Sequence, residues 1–298
     1  MQIVRRPPAA DIVATVYLIA ASLAFFPFWS AADYREAIVQ NLGMLLFIWA
    51  SWFLASGPGQ IARIVRFVRM FYPLLLIGMA FVQVGLFARM LYGPGFTFDP
   101  VVARWDAAFF TVNPHMWFHR VLPGRIWAEI MHVLYVLYFP LLFGSFLFVA
   151  ARRVYDYPRF AFVFLASFLS FVVVFVLFPA TGPLEYRDGL FSDAVVFSNL
   201  VDYLFSFGIP DPGGAFPSSH VGQSIVVLLL LRPLSRRMTA LIVFVIIGIG
   251  VSMGYAAVHY QIDAVAGVPA GIALYAVWNT VYLRWVASRD TGPDPGSN

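Results

Sequence analysis

The chain has 298 residues, of which 61% are hydrophobic and 11% charged, a composition that excludes a soluble globular enzyme and describes a polytopic membrane protein with a single membrane domain. Its net charge of +4 rests on 19 basic residues, all of them arginine; arginines that flank apolar spans set topology, so this charge points to no nucleic acid. With no cysteine, disulfides, Cys metal sites and thiol nucleophiles are excluded.

Apolar runs of the length that crosses a bilayer, about 17 to 25 residues, are expected at 12–29, 42–55, 71–92, 126–150, 160–178, 217–231, 238–258 and 262–286, with the second and sixth on the short side. The fold class is therefore all-α, a polytopic membrane bundle of eight transmembrane helices. Residues 1–70 hold two N-terminal spans, residues 71–290 a membrane domain with a six-helix core, and residues 291–298 a disordered tail. The first run follows Arg5 and Arg6 and precedes Ser30-Ala31-Ala32, as in a signal peptide, but it is long for that role and is read as retained.

Thirteen of the 19 arginines fall in the alternate connections that an N-terminus inside the cell makes cytoplasmic, among them Arg63, Arg66, Arg69, Arg152, Arg159, Arg236 and Arg237. Both termini are then cytoplasmic. The expected location is a bacterial inner membrane, with the connections at 93–125 and 180–216 on the periplasmic face. The first of these mixes Trp105, Phe109, Phe110, Trp117 and Phe118 with Arg104, His115, His119, Arg120 and Arg125, which suits short helices lying in the headgroup layer. The second carries Arg187 and five acids, Glu185, Asp188, Asp193, Asp202 and Asp211. A solvated loop face is the simpler reading of these acids; contact with a polyol or a cationic head group is the functional one.

Two histidines stand where apolar helices open on this same outer face. Pro217-Ser218-Ser219-His220 begins the sixth span: Pro suits an opening turn, and the serine hydroxyls join free backbone N–H groups in an anion site. His259 and Asp263 lie four residues apart at the start of the eighth span, so the carboxylate can hold one ring nitrogen and leave the other as a nucleophile. One oriented histidine and one histidine beside an anion cradle suit phosphoryl transfer through a phosphohistidine. His259 attacks phosphorus while His220 serves the departing oxygen as acid and then acts as base. No metal-ligand cluster is present, so neither metal nor other cofactor is expected.

The pattern resembles the type 2 phosphatidic acid phosphatase superfamily. Its Pro-Ser-Gly-His motif is matched by Pro217 to His220, and its Ser-Arg-x5-His-x3-Asp motif fits Ser252 to Asp263 at full spacing with Met253 in place of Arg. Of Lys-x6-Arg-Pro only Arg187 is present, with Ala180 and Asp188 at the flanking positions. Phe178-Pro-Ala-Thr-Gly-Pro183, His259-Tyr260 and the upstream Asp106, Pro114, Tyr135 and Tyr138 look more like the inositol phosphorylceramide synthase branch. The resemblance covers about residues 98–285 and implies a phosphatase-like core.

A histidine at a helix end is usually structural, and Asp263 alone could be a helix cap. Together His259, His220 and Asp263 form the catalytic candidate set, with Arg187, Ser218 and Ser219 for phosphate. Tyr186, Asp106, His132 and Tyr260 are the substrate-binding candidates, while Tyr135 and Tyr138 read as packing. The expected function is transfer between a membrane lipid phosphoester and a small alcohol. The alternative is hydrolysis, with water as acceptor, of phosphatidic acid, a sphingoid phosphate or a polyprenyl pyrophosphate. A transporter or lipid-binding protein is the rival of another class; its polar groups belong near the midplane, whereas here they gather at span ends.

Overall fold

A computed structural model describes residues 7–152, 155–187, 196–206, 213–232 and 234–286, without the side chains of Asp202, Leu204, Phe205 and Ser206. The acids Asp188, Asp193 and Asp211 and the expected tail lie outside the described residues. Among those residues the regular structure is helical, and the sole β-type pairing is an isolated bridge between Ala180 and Gly214. Seven helical stretches among the described residues are long and apolar enough to cross a membrane: Ala9–Phe28, Ala32–Ala55, Gly59–Tyr92, Arg125–Ala151, Tyr157–Leu177, Arg236–Tyr255 and Gln261–Val286. The protein is an all-α polytopic membrane bundle.

The sixth expected span differs from the rest. It forms a helix of 12 residues, Ser219–Leu230, which at 1.5 Å per residue reaches about 18 Å, short of the roughly 30 Å hydrocarbon layer. Val221 to Ile225, Val226, Val227 and Leu230 are all buried, so this is a core helix rather than a lipid-facing one. The fourth span is interrupted at Leu137, between helices Arg125–Val136 and Tyr138–Ala151. Pro140 accounts for the break, because it has no N–H for the Val136 carbonyl and its ring crowds that turn.

The described residues divide into two compact units. One comprises those of Met1–Ala80, Phe146–Ala166 and Ala276–Asn298. Its polar centre is Arg69, which donates to Asp11, to the Ile48 carbonyl at 2.8 Å and to Ser51 Oγ at 3.1 Å; the Tyr72 hydroxyl donates to Asp11 at 2.8 Å. Phe146, fully buried, gathers the rings of Phe71, Tyr157, Phe160 and Phe164 around it.

The other unit, Phe81–Ser145 with Ser167–Tyr275, holds every candidate site residue. Its core helix Ser219–Leu230 meets helix Gln261–Val281 along small residues, and a methyl group on Gly267 would lie 2.7 Å from the Ser218 carbonyl. That approach is possible only because glycines occupy the contact. Phe98, Trp105, Phe178 and Phe216 stack nearby; the Phe98 and Phe178 rings are 4.4 Å apart and nearly parallel. Asp99 accepts from the N–H groups of Thr181 and Gly182, at 3.0 and 2.9 Å, and holds the 178–183 loop in place. That loop in turn pairs with the chain before Pro217, where Ala215 N–H donates to the Ala180 carbonyl at 2.9 Å.

Candidate active site

His259 follows a helix end with a specific geometry. Helix Arg236–Tyr255 closes with Ala257 N–H donating to the Gly254 carbonyl at 3.2 Å and Val258 N–H to that of Met253 at 3.2 Å. These are the two hydrogen bonds of a Schellman cap, with Ala257 at φ 51° in the left-handed position usually held by glycine. The chain turns sharply there, and His259 emerges buried, at 4% exposure.

The Nδ1 of His259 lies 3.2 Å from Asp263 Oδ2 and 3.1 Å from the Ala215 carbonyl. Both partners can only accept, so Nδ1 carries the proton and Nε2 is left with its lone pair. Asp263 is fully buried one turn into its helix, whose start is capped from outside: Asp106 Oδ1 accepts from Ile262 N–H at 2.7 Å. Asp106, expected against substrate, thus sits under the helix that carries Asp263. Burial raises its carboxyl above the ordinary carboxylate range, and the Ile262 hydrogen bond opposes this.

The His220 ring lies 5.4 Å from that of His259, centroid to centroid, at 78°. Its Nε2 is 3.2 Å from the Tyr135 hydroxyl, and its Nδ1 is buried with no hydrogen-bond partner among the described residues. Tyr138 packs on the ring at 4.4 Å. Ser218 caps the His220 helix by accepting from Val221 N–H at 3.4 Å, and its own hydroxyl turns inward to Met253 Sδ at 3.3 Å. The residue standing where the family motif has Arg therefore accepts a hydrogen bond from the helix cap through its sulfur. Ser219 is buried beside it. The N–H groups of Ser219 and His220 make no hydrogen bond among the described residues, as expected at an open helix start.

Arg187 is buried, at 8% exposure, and donates to the Ala256 carbonyl two residues before Val258. Tyr260 is buried and Tyr186 exposed, and both rings flank His115, at 6.3 and 6.1 Å. Burial raises the Tyr260 phenol, with nearby Asp99 and Glu185 adding to the effect. His132 is fully buried and donates through Nδ1 to the Ala128 carbonyl of its own helix at 2.7 Å.

Sequence reasoning placed His115 and His119 in a headgroup layer and missed what they touch. His115 Nδ1 donates to the Gly254 carbonyl at 2.6 Å and His119 Nε2 to that of Tyr255 at 3.0 Å, so helix Pro114–Val121 caps the helix end that precedes His259. Burial, the largest cause, holds both imidazoles below the ordinary histidine value, against the opposing pull of those carbonyls. The spacing of His115 and His119, four apart, signalled one helix face but not its partner. Among the described residues no cluster of His, Asp or Glu has the arrangement of a metal site.

No curated protein and no solved structure matches the chain. A family model described as the PAP2 superfamily matches residues 101–277, which include His220, His259, Asp263, Arg187 and the aromatic residues around them. That stretch is more than half of the chain, and the protein, an integral membrane protein, belongs to the PAP2 superfamily, a membership that supports phosphatase-type activity.

Proposed function

We propose that the protein is a membrane lipid phosphotransferase that moves a phosphoryl head group from a lipid phosphoester to an alcohol through a phosphohistidine on His259. The observation that carries this is the pairing of two imidazoles 5.4 Å apart, only one of which has a carboxylate behind it. His259 Nε2, with its lone pair free, attacks phosphorus; the bond from phosphorus to the leaving oxygen breaks, and that oxygen takes a proton from His220 Nε2. In the second half the alcohol gives its proton to His220 Nε2, its oxygen bonds to phosphorus, and the N–P bond breaks. Arg187 and the open amides of Ser219 and His220 stabilise the charge that develops on the phosphoryl oxygens.

Transfer of the inositol phosphorylceramide synthase kind is the finer reading. It is supported by the place of the Phe178–Pro183 segment, whose Gly182 packs so closely on Val258 that an added methyl would lie 2.5 Å from the Val258 carbonyl. The low exposure of His259 supports an alcohol over water as acceptor. The lipid tails stay in the bilayer, and the site opens on the outer, periplasmic face of a bacterial inner membrane.

Purified protein in lipid vesicles, given a head-group-labelled phosphoester with and without inositol or glycerol, tests this. The expected result is the labelled phosphoryl group on the added alcohol, formed only when that alcohol is present, together with an acid-labile phosphoryl label that His259→Ala abolishes. Label released to water, with none on the added alcohol, would assign a phosphatase. Neither product from any donor, and no label on the protein, would overturn the enzymatic reading in favour of a carrier.

A further inference from the structure

His220 has only one ring nitrogen that can serve a substrate. Nδ1 is buried and has no partner among the described residues, whereas the ring as a whole is only partly buried, so proton traffic has to pass through Nε2. That atom is already engaged: the hydroxyl of Tyr135, a residue 5% exposed, lies 3.2 Å away. The Tyr135 ring faces the imidazole at 5.1 Å and 34°, and Tyr138 closes another side at 4.4 Å. The aromatic pair thus fixes the plane of His220, and the hydroxyl fixes which nitrogen carries the hydrogen bond. Both tyrosines read as packing in the sequence, and nothing in a helical repeat separates a packing tyrosine from one whose oxygen is aimed at a histidine.

We propose that Tyr135 is a positioning residue for proton transfer at His220, resting on the phosphotransfer reading above. Its hydroxyl holds Nε2 in place until the leaving oxygen of the bound phosphoester displaces it; the proton then passes from Nε2 to that oxygen and returns to Nε2 from the incoming alcohol.

Tyr135→Phe keeps the ring and removes the oxygen. With an alkyl phosphoester, kcat is expected to fall on the order of 10- to 100-fold, a part of what an acid–base group supplies. KM should stay within about twofold, since the interaction acts in the transition state. With a nitrophenyl phosphoester, whose leaving oxygen needs no proton, kcat should stay within about threefold. Equal losses on both esters, or none on either, would overturn the role of Tyr135. A second readout needs no turnover. In 15N-histidine-labelled protein in nanodiscs, Tyr135→Phe should move the His220 Nε2 resonance, and an unmoved resonance overturns the proposal. The two readings fail separately: wild-type protein inactive on every phosphoester sinks the phosphotransfer reading, whereas active wild type with an unaffected Tyr135→Phe variant sinks only this one.

Discussion

The backbone N–H of Ser218 donates to the carbonyl of Asp263 at 3.0 Å, so the first turn of the His220 helix is tied to the first turn of the Asp263 helix. The two histidines are held together by main chain, not by the side chains that do the chemistry. Asp263→Asn should therefore fold with an unchanged thermal midpoint, yet lower kcat on the order of 10³-fold, because the amide no longer secures the Nδ1–H tautomer of His259. Kinetics and thermal unfolding on the same preparation check this. A large fall in both would mean that the carboxylate is structural.

The close contact of the two core helices predicts opposite outcomes at two glycines. A methyl on Gly271 would lie 2.8 Å from the Gly222 Cα and 2.9 Å from its carbonyl carbon, rigid backbone that cannot turn aside. Gly271→Ala should cost about 1 to 3 kcal/mol by overpacking. At Gly250 the nearest atoms would be Val221 Cγ2 at 3.6 Å and Ala264 Cβ at 3.9 Å, ordinary contacts. Gly250→Ala should be neutral or gain about 0.5 to 1 kcal/mol from helix propensity. Denaturant titration in detergent separates them, and equal effects would contradict the packing.

The catalytic candidates were legible in the sequence because their geometry is local: His259 and Asp263 share a helix face by spacing alone, and His220 is marked by Pro217 and Ser218. The all-α membrane fold was legible because apolar runs of spanning length have few other uses. What sets the site around those residues was not legible, since it joins remote segments. His115 reaches the Gly254 carbonyl across 139 residues, and Tyr135 reaches His220 across 85. Asp106 caps a helix start 156 residues away, a role that no local pattern distinguishes from ligand binding. The sixth run, already on the short side, was counted as a span because apolarity marks burial in protein as well as burial in lipid.

In the unit that contains the N-terminal helices, Asp11 is 1% exposed and takes hydrogen bonds from Arg69 and Tyr72. Asp11→Ala leaves the Arg69 charge without its partner in an apolar setting and should destabilise by about 3 to 5 kcal/mol. Asp11→Leu combined with Arg69→Met should recover most of that loss, because no charge then remains to be compensated. Unfolding midpoints of the single and double variants decide it; a double variant as unstable as the single one would show that packing, not charge, is lost.

His115 gives stability a pH dependence of definite sign. Its Nδ1–H is committed to the Gly254 carbonyl and its Nε2 is buried with no partner among the described residues, so protonation would bury an N–H with no acceptor there. Burial lowers the folded-state value below the ordinary 6.5, and the unfolded chain then binds more protons below that pH. The contribution is fully present above about pH 6.5 and is lost as the pH falls below it. His119, lowered chiefly by burial, acts in the same direction; Asp106, raised by burial, acts in the opposite one. His115→Asn keeps a donor for Gly254 and should flatten the fall in stability from pH 7 to about pH 5. Identical slopes in the two proteins would remove His115 as the cause.

Ala257 adopts φ 51° at the cap that delivers His259, where a Cβ crowds the following carbonyl. A non-glycine residue there costs about 1 to 2 kcal/mol, while glycine gives back about 0.4 to 1 kcal/mol through the greater freedom of the unfolded chain. Ala257→Gly should therefore stabilise by about 0.5 to 1 kcal/mol. The two cap hydrogen bonds, from Ala257 to Gly254 and from Val258 to Met253, are main chain and survive the change. His259 should then keep its place against Asp263 and Ala215, and kcat should stay within about twofold of wild type. Thermal unfolding and kinetics measured together test both halves. A more stable but much slower variant would show that the side chain of Ala257 helps to hold His259 in register, because the relief of strain would have come at the expense of the nucleophile's position.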